Sequence, residues 1–195
     1  MEIGLEIEIE VRDKNGKLIE KLNKKADSFV LNFIKALRGL VYGHMVNLSV
    51  TLIDTGGVAR PYPRLYSEGR DLISVNAPAD DANYGIWIGY GTTPVSPEDY
   101  TLNSKAPTTD FSYNTSTVED VVYDSSGGTF RVVRTFTNIS GATKTISEIA
   151  LVFHEYDKTP ADRYFMIARD ILPETGVYVP DGGTITVRYV ISVVF

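Results

Sequence analysis

Few side chains here are of the types that do chemistry, and their spacing works against it. Asp80-Asp81 and Glu119-Asp120 are carboxylate doublets, His154-Glu155 sets a base beside an acid, and Arg134 and Glu148 are single charges within apolar runs. Two carboxylates can divide acid and base work in a glycosidase, but only when they face each other across a cleft. Neighbours on a strand point to opposite faces, so neither doublet is such a pair by itself, and both read as solvated surface. His154-Glu155, at a strand end, reads the same way. No G-x-S-x-G elbow occurs among the many serines. Gly89-Tyr90-Gly91 is followed by a proline-rich loop and not a helix, so it is not a nucleotide fingerprint. Asp13 and Asn15 begin like a calcium loop, but no glutamate closes it. His44 and His154 lie far apart and there is no cysteine, which argues against a histidine-rich metal site and removes disulfide and thiol chemistry. The expectation is a protein with no catalytic residues, no metal ligands and no cofactor, hence not an enzyme.

Arg134 and Glu148 lie in "RTFTNISGATKTISEIAL", residues 134–151. With 139–143 at the tip of a hairpin, Asn138 opposes Lys144, Phe136 opposes Ile146 and Arg134 opposes Glu148. The pair then acts as a register pin, since a slip of one residue would set each charge opposite an apolar neighbour. Aromatic residues supply the other candidate. Tyr84, Trp87 and Tyr90 cluster around one strand, and Tyr62, Tyr66 and Tyr100 lie in loops. Exposed, the cluster would form a sugar-stacking platform; otherwise Trp87 fills the core and the tyrosines occupy the rim or subunit contacts. Alternation favours the second arrangement, because Ile86 and Ile88 share one face and Trp87 takes the other.

The elements that must position these residues are mostly strands. Ile3, Leu5, Ile7, Ile9 and Val11 alternate with Glu2, Glu6, Glu8 and Glu10 along residues 3–11, and the acidic face would resist stray edge pairing. Asn15-Gly16 is a two-residue hairpin signal. Residues 27–42 predict a helix capped by Asp27 or Ser28 and stopped by Gly43, with a stripe of Phe29, Phe33, Leu37 and Leu40 widened by Val30, Ile34 and Val41. That stripe either covers a sheet or docks on a neighbouring subunit. From residue 47 the pattern is β, with loops at about 67–83 and 91–110. The last strand carries Ile185, Val187, Tyr189, Ile191, Val193 and Phe195 on one face and turns apolar on the other at Val190 and Val194, so it belongs inside a sandwich or against another chain.

The fold class expected is mainly β, an antiparallel β-sandwich, jelly-roll or Greek-key-like, with one packed α-helix near the N-terminus. It forms a single domain over 1–195, with 1–46 as a strand–hairpin–helix elaboration. A net charge of −6 disfavours a nucleic-acid binder that relies on phosphate contacts. The N-terminus has neither a basic region nor an apolar run, so it is not a signal peptide, and no run approaches the ~18 apolar residues of a membrane helix. The protein is expected to be made in the cytoplasm, soluble there, with no membrane association.

Three stretches carry a resemblance: "IWIGYGTTPVSPEDYTL", "RVVRTFTNISGATKTISEIALV" and "ARDILPETGVYVPDGGTITVRYVISV". Together, over about residues 85–195, they resemble virion structural proteins of tailed bacteriophages and related archaeal viruses. Those combine a G-x-G-T-T-P-x-S-x-x-D-Y-x-L stretch, an R-T-F-T-N-x-S-G segment, an A-R-D stretch and a terminal D-G-rich strand. The resemblance implies a component of the capsid surface, neck or tail that assembles with copies of itself and with other virion proteins, located in the virion. Phe29, Phe33, Leu37, Val193 and Phe195 are then candidate assembly contacts, and the two long loops could reach adjacent subunits. The alternative is a carbohydrate- or receptor-binding sandwich that meets a host-surface glycan through Tyr84, Trp87 and Tyr90.

Overall fold

The structure, a computed structural model, describes residues 2–26, 29–42, 50–62, 74–155 and 162–194. In chain order it contains β1 (Glu2–Arg12), β2 (Leu18–Lys25), α1 (Leu31–Tyr42), β3 (Val50–Ile53), β4 (Ala59–Tyr62), β5 (Gly85–Gly89), β6 (Phe111–Tyr113) and β7 (Thr117–Val118). There follow β8 (Val122–Asp124), β9 (Gly127–Asn138), β10 (Lys144–Ile146), β11 (Glu148–Glu155), β12 (Arg163–Ile171), β13 (Val177–Val179) and β14 (Thr184–Val194). The fold is mainly β, with antiparallel sheets packed on one another and a short helix, as the periodicity predicts.

The larger sheet runs β2-β1-β14-β9-β6, and β7 and β8 continue β6 along the same side of β9. The other layer is β12-β11-β5, with β10 and β13 paired beside it. Residues 104–106 extend this layer past β5, through a bridge between Gly89 and Lys105 and a hydrogen bond from Ala106 N to Ile88 O (2.9 Å). Between the layers, Ile7, Ile9, Val187 and Phe136 meet Ile86, Ile88, Ile149 and Leu151, all nearly or fully out of water. Each such side chain contributes about 1.5–3 kcal/mol. Residues 2–25 are therefore no elaboration. β1 lies between β2 and β14 and supplies a face of the core.

The position of β1 also changes what its glutamates do. β1 is not an edge. Glu10 meets Lys21 of β2 (3.7 Å) and Arg188 of β14 (3.8 Å), and Glu8 meets Arg131 of β9 (3.7 Å). Opposite charges across strands favour one register by a few tenths to ~1 kcal/mol. The hairpin after β1 also differs from the two-residue expectation. Gly16 has positive φ (81°) and Asn15 does not. The Asp13 carboxylate accepts the N–H groups of Asn15 (2.8 Å) and Lys17 (3.0 Å) and so closes a longer loop.

The helix begins later than expected because the residues before it are used otherwise. Phe29 bridges to Ala168, and Val30 N donates to Ile167 O (3.0 Å), so this stretch borders β12 before the chain turns at Leu31. The buried side of α1 is Asn32, Ala36 and Gly39, not the Phe29–Phe33–Leu37 stripe. Phe33 and Leu37 are half-buried, Ile34 is exposed, and Phe33 stacks on Phe29 at 3.7 Å. Asp27, Ser28 and Gly43 lie outside the described residues, as do the side chains of Leu40 and Val41. Asn32 selects the face. Its amide donates to Ile53 O (2.8 Å) and Met166 O (3.2 Å) and accepts from Ile53 N (3.1 Å), which ties α1 to β3 and β12 together. Replacing Asn32 by Ala strands buried backbone groups. Denaturant unfolding should show a loss of about 2–3 kcal/mol for Asn32→Ala and under about 0.5 kcal/mol for Ile34→Ala.

Candidate functional site

Arg134 and Glu148 do not face each other. β9 pairs with β14 on one side and with β6, β7 and β8 on the other, while β11 pairs with β12 and β5. The chain crosses between layers at residues 138–143 where the sequence predicts a hairpin. Buried Asn138 directs that crossing. Its amide donates to Ala142 O and Val179 O (2.8 Å each) and accepts from Ser140 N (3.0 Å), and Gly141 takes φ 76°.

Each charge has its own enclosure. The Arg134 guanidinium, fully buried, spends its five N–H groups on five backbone carbonyls: Asn114 (2.7 Å), Tyr84 (2.8 Å), Ile86 (3.3 Å), Pro78 (3.3 Å) and Asp81 (2.6 Å). Burial pushes its pKa down to about 10, with Tyr113 and then Asp81 opposing that shift. Residues 78–86 are thus wrapped around one side chain of β9.

Glu148 is equally closed in. Its carboxylate accepts the backbone N–H groups of Ser104 (2.6 Å), Gly91 (3.1 Å) and Asn103 (3.1 Å). It also accepts Nε (3.1 Å) and Nη2 (2.8 Å) of Arg169 on the neighbouring strand. Arg169 completes its set on Asp99 Oδ2 (2.8 Å), Thr93 O (3.0 Å) and Pro94 O (3.5 Å). Desolvation works against the charge, but Glu148 and Asp99 hold the guanidinium pKa above its ordinary value. The glycines of Gly89-Tyr90-Gly91 have their explanation here. A Cβ on Gly89 would come within 2.8 Å of Glu148 Oε1, and one on Gly91 would overlap that oxygen. The 91–105 segment is therefore bound to its own sheet. Residues 67–73 of the other long loop lie outside the described residues, and 74–83 run past Arg134.

The aromatic cluster divides between two faces. Trp87 is 4% exposed, among Leu102, Val152 and Met166, with Lys105 Nζ 3.7 Å from its ring centroid and donating to Ala82 O. Tyr84 packs on that side, whereas Tyr90 packs on the core between the sheets and donates to Asp110 (2.5 Å). The three make no common exposed platform. Tyr84 instead stacks on Tyr164 (5.9 Å between centroids) and contacts His154 (5.0 Å), whose Nε2 lies 3.1 Å from Asp162. His154 and Glu155 are buried, not on the surface as their place at a strand end implies, while Glu119 and Asp120 are exposed. Tyr62's side chain, Tyr66, His44 and Phe195 lie outside the described residues. Val193 is half-buried on β14. Among the described residues no group of three acidic or histidine side chains is placed to hold a metal, and no helix is long and apolar enough to cross a membrane.

What the sequence conceals is an exposed apolar corner. Ile3, Val193, Gly128 and Tyr123 form one row across β1, β14, β9 and β8. It continues the core-facing side of the large sheet beyond the second layer: Leu5 is 5% exposed, Ile3 50% and Tyr123 80%. Val121, Val122 and Val194 are also exposed there, and Val122, Tyr123, Val193 and Val194 line a groove of about 280 Å³ together with Asp124 and Ser126. No protein-family model, curated protein or solved structure matches the chain.

Breaking the Glu148–Arg169 pair leaves a buried charge uncompensated. Glu148→Ala or Arg169→Met should each cost about 3–5 kcal/mol in equilibrium unfolding and loosen 91–105 to limited proteolysis. A second expectation concerns alkaline pH. Burial, and next Arg134, lower the Lys105 pKa to about 8 from an ordinary 10.5. The folded state thus sheds this proton before the unfolded state does, so the penalty is full below pH 8 and is relieved as pH rises. From pH 8 to 10, Lys105 should add up to about 2 kcal/mol of stability. Urea melts of Lys105→Met should lack that rise.

Proposed function

We propose that the protein is a non-enzymatic structural component of a virion, of the capsid-surface, neck or tail kind, and that it works by assembling with copies of itself and with other virion proteins. The reading needs no cofactor, no direct nucleic-acid contact and no membrane. The observation that carries it is the corner formed by Ile3, Val121, Val122, Tyr123 and Val194, where side chains at 50–80% exposure lie on both faces of one sheet end. Clustered exposed apolar side chains of this kind favour burial against another protein. The buried charges support the same reading, because Arg134, Glu148 and Arg169 are committed to holding loops. The resemblance of residues 85–195 to phage and archaeal-virus structural proteins supplies the class.

The second reading, a carbohydrate-binding sandwich, cannot rest on Trp87. It would use the stacked rings of Tyr84 and Tyr164 beside Asp162, which is exposed. Light scattering across a wide concentration range, with negative-stain images of the same fraction, separates the two. Assembly predicts rings, tubes or discrete oligomers that are lost in a Val122→Ser/Tyr123→Ser variant. A monomer at every concentration, whose Tyr84→Ala and Tyr164→Ala variants lose binding on a glycan array, would replace this reading with the second.

A further inference from the structure

The large sheet ends on two edges of opposite character. On one side, "KLIEKLNKK", residues 17–25, includes β2 and carries four lysines against one glutamate; Lys24 turns inward to Ile171 O (2.9 Å), and Lys17, Lys21 and Lys25 are exposed. On the other, "TVEDVVYD", residues 117–124, carries three acids and no cation. Among the described residues no strand pairs with the outer side of β2, β7 or β8. Backbone N–H and C=O groups along such edges form a template for another strand.

We propose that copies of this chain join head to tail, the β2 edge of one copy pairing with the β7–β8 edge of the next, so that the large sheet continues from subunit to subunit. This rests on the assembly reading above and names its interface. The strand register places the charges. Lys25 pairs with Glu6, Glu6 with Val190 and Val190 with Arg131, and Glu119 N donates to Arg131 O (2.8 Å). One row of the sheet thus begins at Lys25 and ends at Glu119. Copies set side by side in the same orientation bring Lys25 level with the neighbour's Glu119 without any shift along the strand.

Like edges repel each other. Lysines oppose lysines when β2 meets β2, and acids oppose acids when β7–β8 meets itself, so only the unlike pairing is favoured. An interface between two different edges repeats. It yields a ring where the rotation closes and a tube or filament where it does not. It also carries Val121, Val122 and Tyr123 toward the neighbour, where their apolar surface is covered.

The test uses two charge-reversed variants of the full chain: Glu119→Lys/Asp120→Lys, and Lys21→Glu/Lys25→Glu. All four positions are exposed, and thermal melts check that each variant folds. Size-exclusion chromatography with light scattering should find wild type assembled, each variant alone monomeric, and a 1:1 mixture reassembled, since every reversed edge then meets its complement. Wild-type assembly should also weaken severalfold in apparent affinity between 0.1 and 0.5 M salt, as ion pairs across an exposed edge are screened. If either variant assembles like wild type, or the mixture stays monomeric, this interface is wrong while assembly itself stands. A monomeric wild type would overturn both.

Discussion

The Glu148–Arg169 pair lies fully out of water, and such a pair is tolerated only when every lone pair and proton left over finds a partner. Three backbone N–H groups of the 91–105 segment, two of its carbonyls and the Asp99 carboxylate supply that completion. The segment has no regular structure of its own, so its path follows from the charge beneath it. With the path set, Leu102 comes down over Trp87, and residues 104–106 extend the layer alongside β5. Tight approach to the carboxylate excludes any side chain at residues 89 and 91.

Arg134 applies the same constraint from the opposite layer. A buried guanidinium without a carboxylate needs an acceptor for each N–H, and the carbonyls of 78–86 and Asn114 provide them. These segments flank β5 on one side and β6 on the other, so one side chain couples the two layers at their rim. Asn32 does comparable work for the helix. Glu148 with Arg169, Arg134 and Asn32 thus place two irregular segments and the helix upon the strands.

The two layers differ in extent. β1, β9 and β14 are long strands, and the core-facing side of their sheet outruns the second layer at Ile3, at Val193 and at Tyr123 of the adjoining β8. Beside the polar β8–β9 turn, Val122 and Tyr123 of β8 and Val194 of β14 remain exposed. Lysines on one edge of the same sheet and acids on the other give the molecule a direction along the sheet, and the outer face between them is stitched by the Glu8 and Glu10 ion pairs.

By itself the sequence determined that β1, β5 and β14 are strands and which way each faces. Alternation is a property of neighbours along the chain, so β1, β5 and β14, with Trp87 opposite Ile86 and Ile88, could be read without knowing their partners. It marked Arg134 and Glu148 as charges in apolar surroundings, and the short span between them made a hairpin the natural inference. Only the tertiary structure decided that the chain changes layers at Asn138. Strand partnership depends on which edges are already occupied, and both edges of each strand are taken by others: β14 and β6–β8 flank β9, while β12 and β5 flank β11. The helix face was decided in the same way, since Asn32 looks polar until Ile53 and Met166 arrive to satisfy it. The exposure of Val121, Val122 and Tyr123 was also invisible, because exposure is set by where the opposing layer ends, and no local pattern records that.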